Sequence, residues 1–230
     1  MSSEYLDKQG KLYLVSTPIG NLKDITLRAL DILSAVDLIA AEDTRHASIL
    51  LNHYRIETKT TSFYDHNKEK KTPKLIERLN QGDSIAVISD AGTPGVSDPA
   101  FYIVRAAISE GIEIVPIPGA TALIPALIIS GLPTDRFVFE GFLPFKKGRQ
   151  KRIKELVEEK RTIILYESPH KIEKTLSQLY NILGDRQICI VRELTKRYET
   201  TYRGSLGNII NDIDQIKLKG EFVLILQGNR

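Results

Sequence analysis

The chain has 230 residues, with 32 Lys or Arg against 29 Asp or Glu, one cysteine and no tryptophan. That length fills one large core or two small ones without staples, and a lone cysteine excludes both a disulfide framework and a thiolate zinc site. The net charge of +3 names no partner, but it is unevenly spread: residues 136–230 hold 19 Lys or Arg and 12 Asp or Glu, whereas residues 1–135 hold 13 and 17.

In chain order, Met1 to Gly10 is polar and lacks a signal core. Short β-branched runs at residues 11–16, 37–41, 59–63, 84–89 and 112–116 then alternate with amphipathic patterns, which predicts a parallel α/β sheet of five strands. Asp24 can cap a helix carrying Ile25, Ala29, Leu30 and Leu33, Thr72-Pro73 can start one ending near Gly82, and Asp98-Pro99 one ending at Gly111. The apolar stretch from Ala120 to Ile129 is interrupted by Thr121 and Pro125 and is too short for a bilayer, so a cytoplasmic protein without membrane contact is expected.

Pro116-Ile-Pro-Gly closes this unit and suggests two α/β domains, 1–117 and 118–230, with Gly131-Leu-Pro as the alternative hinge. Further strands are predicted at 136–143, 162–166, 187–191, 197–204 and 222–226, two of them without an intervening helix, which implies a mixed sheet. Cys189 lies in an apolar run and reads as a buried small hydrophobe.

The loops following the first four strands share the carboxyl edge of one sheet, where open α/β folds bind ligands. They read Ser16-Thr-Pro-Ile-Gly-Asn, Glu42-Asp-Thr-Arg-His, Tyr64-Asp-His-Asn and Ser89-Asp-Ala-Gly-Thr-Pro-Gly. Each alone is an ordinary loop, but the last has glycines that admit close backbone approach and an acid, Asp90, that can accept hydrogen bonds. Neither Gly-x-Gly-x-x-Gly nor a P-loop is present, which disfavours dinucleotide or phosphate cradling, and no His pair has metal-ligand spacing, so no metal is expected. Lys146-Lys-Gly-Arg-Gln-Lys-Arg152 leads into a helix whose N-terminus these cations oppose; this makes Lys146, Lys147, Arg149, Lys151 and Arg152 candidates for phosphate contact, or a solvated helix start. Phe142 and Phe145 nearby can stack on an unpaired base or belong to a core.

The motifs Val15-Ser-Thr-Pro-Ile-Gly-Asn-Leu, Ala41-Glu-Asp-Thr-Arg, Asp65-His-Asn, Ile88-Ser-Asp-Ala-Gly-Thr-Pro-Gly, Pro116-Ile-Pro-Gly-Ala-Thr-Ala, Phe139-Glu-Gly-Phe-Leu-Pro, Leu165-Tyr-Glu-Ser-Pro-His and Arg192-Glu-Leu-Thr-Lys occur in order along nearly the whole chain. Together they resemble the tetrapyrrole methylase class of S-adenosylmethionine-dependent methyltransferases. Within it they resemble the ribosomal RNA small subunit methyltransferase I group, which methylates a cytidine 2′-hydroxyl in the decoding region of 16S rRNA. Members acting on corrinoids or porphyrins usually carry Gly-x-Gly-Pro-Gly after the first strand; Thr17-Pro-Ile-Gly-Asn departs from it and favours the rRNA branch. Many members of that branch continue past the Gly220-Glu-Phe strand into a small further segment.

The resemblance implies S-adenosylmethionine in a cleft between two α/β domains, a homodimer, and 16S rRNA within the 30S subunit as partner. It places Pro18, Asp90, Gly92, Thr93, Pro94, Gly95, Thr121 and Ala122 around the cofactor, with Tyr166 closing the adenine pocket. A ribose hydroxyl needs a base and a nearby cation, and Asp43, Arg45, His46 and His66, beside Asp65, supply both types at the edge without singling out the base. Two rivals share the cofactor: a methylase of the same fold acting on a tetrapyrrole or other small acceptor, and a non-catalytic cofactor-binding module.

Overall fold

The computed structural model describes residues 10–229, so Met1 to Gln9 of the polar N-terminal stretch lie outside the described residues. The chain divides after Thr121 into two compact units. In the first, the strands are β1 (Lys11–Val15), β2 (Leu38–Ala41), β3 (Thr60–Ser62), β4 (Ile85–Ile88) and β5 (Glu113–Ile117), and the helices are α1 (Leu27–Ala35), α2 (Thr44–His53), α3 (Lys68–Asn80) and α4 (Ala100–Ser109). All pairings are parallel, in the order β3-β2-β4-β1-β5.

The central strands are apolar on both sides because both faces are covered. Tyr13, Val15, Ile39 and Ile88 pack with Ile32, Leu33, Ala47 and Leu51 of α1 and α2, while Leu12, Ile85 and Val87 pack with Leu75, Leu79, Ile103 and Ala107 of α3 and α4. β4 therefore sends its helix to the face opposite that used by its neighbours β1 and β2. The carboxyl end of β4 is the topological switch point, where a crevice must open between diverging loops.

Two helix starts differ from the sequence expectation, and a third, after Asp98-Pro99, agrees with it. Thr26, not Asp24, caps α1 through its hydroxyl, which accepts from Ala29 N at 3.1 Å; Asp24 closes a preceding 3-10 turn. α3 begins at Lys68 and contains Pro73. At the sixth helical position Pro73 forgoes the bond an N–H there would make to Glu69 O, so it lies inside the helix and does not start it. α4 begins after Pro99, and Asp98 accepts from Ala100 N at 2.8 Å as the residue that satisfies its first turn.

The second unit holds β6 (Phe137–Phe142), β7 (Thr162–Glu167), β8 (Gln187–Arg192), β9 (Thr200–Ser205) and β10 (Phe222–Leu226), with α5 (Leu123–Ile129), α6 (Arg149–Glu155), α7 (Ile172–Leu183) and α8 (Leu206–Asn211). The sheet order is β6-β7-β10-β8-β9; β6 pairs with β7 in parallel, and the other pairs are antiparallel. One face packs on α6, α7 and α8 and the other on α5, where Cys189 is buried and its thiol pKa is raised by burial. Arg186 braces the unit by donating to the carbonyls of Leu156, Val157 and Leu183. β9 starts at Thr200, three residues later than its pattern suggests, because Glu193 to Glu199 fold into a turn stitched by Thr195 N to Glu199 and Lys196 to Glu193.

Candidate functional site at the carboxyl edge of the first sheet

Hydrogen bonds join the loops at the switch point. Thr17 N donates to Gly92 O at 2.9 Å and Gly92 N to Thr17 O at 3.0 Å, an antiparallel bridge between loops of parallel strands. The Thr93 hydroxyl donates to Ala120 O at 3.0 Å and shares a hydrogen bond with Ser16 Oγ at 3.0 Å, so a single side chain ties the loops after β1, β4 and β5. Gly119, which sequence reasoning passed over, sits where a Cβ would come within 2.8 Å of Ser16 Cβ. Only glycine allows that approach.

Gly92 has φ +88° and Gly95 φ +91°, a region that side chains with a Cβ avoid. A Cβ on Gly92 would lie 3.4 Å from Ile19 Cγ2, whereas no other heavy atom stands within 4 Å of the corresponding position on Gly95. Asp98 takes the Gly95 N–H on its carboxylate at 2.8 Å, which fixes the loop against the start of α4. Gly92 and Pro94 are buried, Pro18, Thr93 and Thr121 are half-buried, and Asp90 and Gly95 are exposed.

On the β2 side, two acids and a backbone cross over. Asp43 N donates to Asp90 Oδ1 at 2.9 Å, and Asp90 N donates to Glu42 Oε2 at 3.3 Å. Asp43 also caps α2, accepting from Arg45 N at 2.8 Å, and forms an ion pair with Arg45 Nη2 at 2.8 Å. The Arg45 guanidinium and backbone N–H hold the Asp43 carboxyl down to about 2, which makes it a permanent anion and a weak base. His46 and His66 are exposed, and neither imidazole has a hydrogen-bond partner among the described residues; His66 stands edge-on to Tyr64. Asp65 is paired with Lys68.

Glu42, which by sequence position reads equally as a helix N-terminal acid or as a catalytic group, belongs to this edge as well. Burial pushes its carboxyl above the ordinary value; the Asp90 N–H opposes that, and the carboxylates of Asp90, Asp98 and Asp65 add to it. A carboxyl of raised pKa at a ligand-binding edge is the type of group that takes protons in catalysis. The available signal was its position, one residue beyond a fully buried strand and beside the end of β4. Among the described residues no cluster of His, Cys, Asp or Glu is arranged to hold a metal ion.

In the second unit, Ala122 precedes α5 and Tyr166 lies on β7, half-buried with edge-on contacts to Phe139 and Phe142 at 5.0 and 5.6 Å between ring centres. The basic tract divides. Lys146, Lys147 and Lys151 are exposed, but Arg149, a predicted phosphate contact, turns inward: its side chain is 5% exposed, paired with Glu167 and bonded to Gln178 and Thr175. Removing one partner of such a buried pair destabilises by about 3–5 kcal/mol, so its place in the tract is structural. Arg152 is half-exposed and bridges Glu140 and Glu155. The cations at the start of α6 thus have, in part, the local explanation that their sequence position did not offer.

A family profile described as Tetrapyrrole (Corrin/Porphyrin) Methylases matches residues 11–210. The chain is 53% identical over 221 residues to "Ribosomal RNA small subunit methyltransferase I" of Synechocystis sp., covering 95% of this chain and 79% of that protein. It is 50% identical over 229 residues to the protein of the same name from Halalkalibacterium halodurans, covering 99% and 79%. Uroporphyrin-III C-methyltransferase from Thermus thermophilus, solved with S-adenyl homocysteine, shares the fold at a TM-score of 0.67 and 17% identity, covering 95% of this chain and 97% of that one. With a profile match across nearly all its strands and relatives about half identical over almost its full length, the chain belongs to the tetrapyrrole methylase family of methyltransferases.

Proposed function

We propose that the protein methylates the 2′-hydroxyl of a cytidine in the decoding region of 16S rRNA, with S-adenosylmethionine as methyl donor. The observation that carries the reading is the likeness, along 95–99% of this chain and 79% of each relative, to proteins named small-subunit rRNA methyltransferases, joined to an edge built from glycine backbone and carboxylates. S-adenosylmethionine supplies an electrophilic methyl carbon on a cationic sulfonium. The edge fits such a ligand: exposed Gly95 has no side chain to bar approach, Asp90 presents an exposed carboxylate to hydroxyl or amino groups, and Glu42 and Asp98 add to the negative surroundings, which suits a cation. Within the first unit, Pro18, Thr93, Pro94 and Thr121 complete the set that holds it.

A ribose hydroxyl is a poor nucleophile, so the chain must orient it, take its proton and exclude water. Glu42 is the proton acceptor: its Oε2 is fixed by the Asp90 N–H, and its raised affinity for protons suits the task. Asp43 holds Arg45 at the start of α2, where a guanidinium can contact an RNA phosphate or the developing alkoxide. His46 and His66 flank the same edge.

The test is incubation with labelled S-adenosylmethionine and immature 30S particles, followed by mapping of the labelled ribose. Label on a cytidine 2′-oxygen is expected; transfer to a tetrapyrrole with none to RNA would overturn the reading. Replacing Lys146, Lys147 and Lys151 together with Gln is expected to lower incorporation and flatten its salt dependence while cofactor affinity stays constant, because phosphate contacts release counterions.

The same reading carries a homodimer acting in the cytoplasm. Helix α4 leaves Phe101, Tyr102 and Ile108 exposed, with Arg105 over the Phe101 ring and Lys68 over the Tyr102 ring, side chains that a second copy can cover, and light scattering of the purified protein checks the mass. Among the described residues no helix is long and apolar enough to cross a membrane.

A further inference from the structure

The second unit gathers four loops at one sheet edge. The register sets Phe142 beside Tyr166, Glu167 beside Phe222, Phe222 beside Arg192 and Arg192 beside Thr200. The segments 143–148, 168–171, 193–199 and 217–221 therefore emerge along one line. They contain seven Lys or Arg and three Glu. All three acids are engaged within the edge: Glu193 and Glu221 each hold Lys196 at 3.0 Å, and Glu199 accepts from Thr195 N. Among the described residues, Arg197, Lys217 and Lys219 have no carboxylate partner.

Two exposed rings stand in this line, each flanked by cations. Phe145, at one end, has Lys171 Nζ 4.1 Å and Lys146 Nζ 5.8 Å from its ring centre. Tyr198, at the other, is 58% exposed, with Arg197 and Lys217 each 5.6 Å from its ring centre. The turn that presents Tyr198 is held under strain: Glu193 and Thr195 adopt φ +52° and +68° without being glycine. Arg192, almost fully buried, donates to the carbonyls of both Tyr198 and Lys219 and locks the two loops together. A rigid, strained turn holding an exposed ring between unpaired cations is costly as decoration and well suited to grip.

We infer that Tyr198, with Arg197, Lys217 and Lys219, forms a second contact for single-stranded RNA, in which the ring stacks on an unpaired base and the cations take the flanking phosphates. This rests on the RNA-methyltransferase reading and extends the RNA surface well beyond the lysines at α6. β6 and β8 stand three strand spacings apart, roughly 14 Å, so one extended strand of a few nucleotides spans both rings. Stacking tolerates any base and the phosphates bring the salt dependence, which is the recognition chemistry of single-stranded nucleic acid.

The full chain is titrated into a short, unstructured, fluorescein-labelled oligocytidylate at several salt concentrations, with methyl transfer to 30S particles measured in parallel. Tyr198→Ala is expected to weaken binding roughly tenfold without changing the salt slope, and Tyr198→Phe to restore it. Replacing Arg197, Lys217 and Lys219 with Gln is expected to reduce the slope by about 2, since each phosphate contact on a single strand contributes about 0.7. Melting temperatures near wild type exclude misfolding, because all four side chains are mostly in solvent. Affinities and slopes within twofold of wild type would overturn the inference while leaving the function intact if 30S methylation persists. Weakened oligonucleotide binding by the variants, with no methylation by wild type, would support the contact and sink the methyltransferase reading instead.

Discussion

Gly92→Val is expected to abolish S-adenosylmethionine binding while leaving the protein folded. A β-branched residue resists φ +88°, at about 1–2 kcal/mol, and its Cβ would start 3.4 Å from the Ile19 methyl with two further carbons still to place. Relief requires the loop to move, and movement breaks the Thr17–Gly92 bridge and shifts Thr93 off Ala120. Calorimetry should show an affinity loss of at least about 100-fold, against a melting temperature lowered by only about 2–8 °C. Gly95→Ala meets open space and should be milder, since only the backbone strain remains. Unchanged affinity in folded Gly92→Val would show that the loop is a turn and nothing more.

Glu42→Gln should lower turnover by about 10²–10⁴ with cofactor affinity nearly constant, because the amide oxygen still accepts the Asp90 N–H but cannot take a proton. In the wild type the active form is the carboxylate, so activity is lost as pH falls through a value above the ordinary 4.5. Burial sets that value first; the Asp90 N–H opposes it and the carboxylates of Asp90, Asp98 and Asp65 add to it, Asp65 being itself paired to Lys68. The acidic limb of the profile should vanish in the variant. Because the folded state raises this pKa, ionising Glu42 costs stability as pH rises, and the variant should melt no lower than wild type at neutral pH. Retained turnover would move the base elsewhere on the edge.

The strands were legible because β-branched runs bounded by Gly and Pro leave little choice, and the switch-point loops stood out because glycine and proline cluster where strands must stop. The order β3-β2-β4-β1-β5 was not legible, since it depends on which face each helix covers. Helix starts failed where local chemistry competes: Thr26 outbids Asp24 as a cap, and Pro73 lies inside α3. At the site, Asp43 and Arg45 sit where expected but satisfy each other, whereas Glu42, by sequence either a helix N-terminal acid or a catalytic group, is singled out by Asp90, which β4 places against it. Arg149 misled because a basic run reads as one surface, and its inward turn depends on Glu167, Thr175 and Gln178, all distant in sequence.

The forked side chains of Arg149, Arg186 and Arg192 each reach two or more separate segments of the second unit at once. A lysine carries the same charge but ends in a single point, with neither the planar spread of five N–H groups nor their fixed angles. Arginine-to-lysine exchange at these three positions, which leaves composition and isoelectric point almost untouched, would therefore loosen the unit that the same exchange at Arg197 would spare. Substitution scales that count the pair as interchangeable will misjudge this half of the chain.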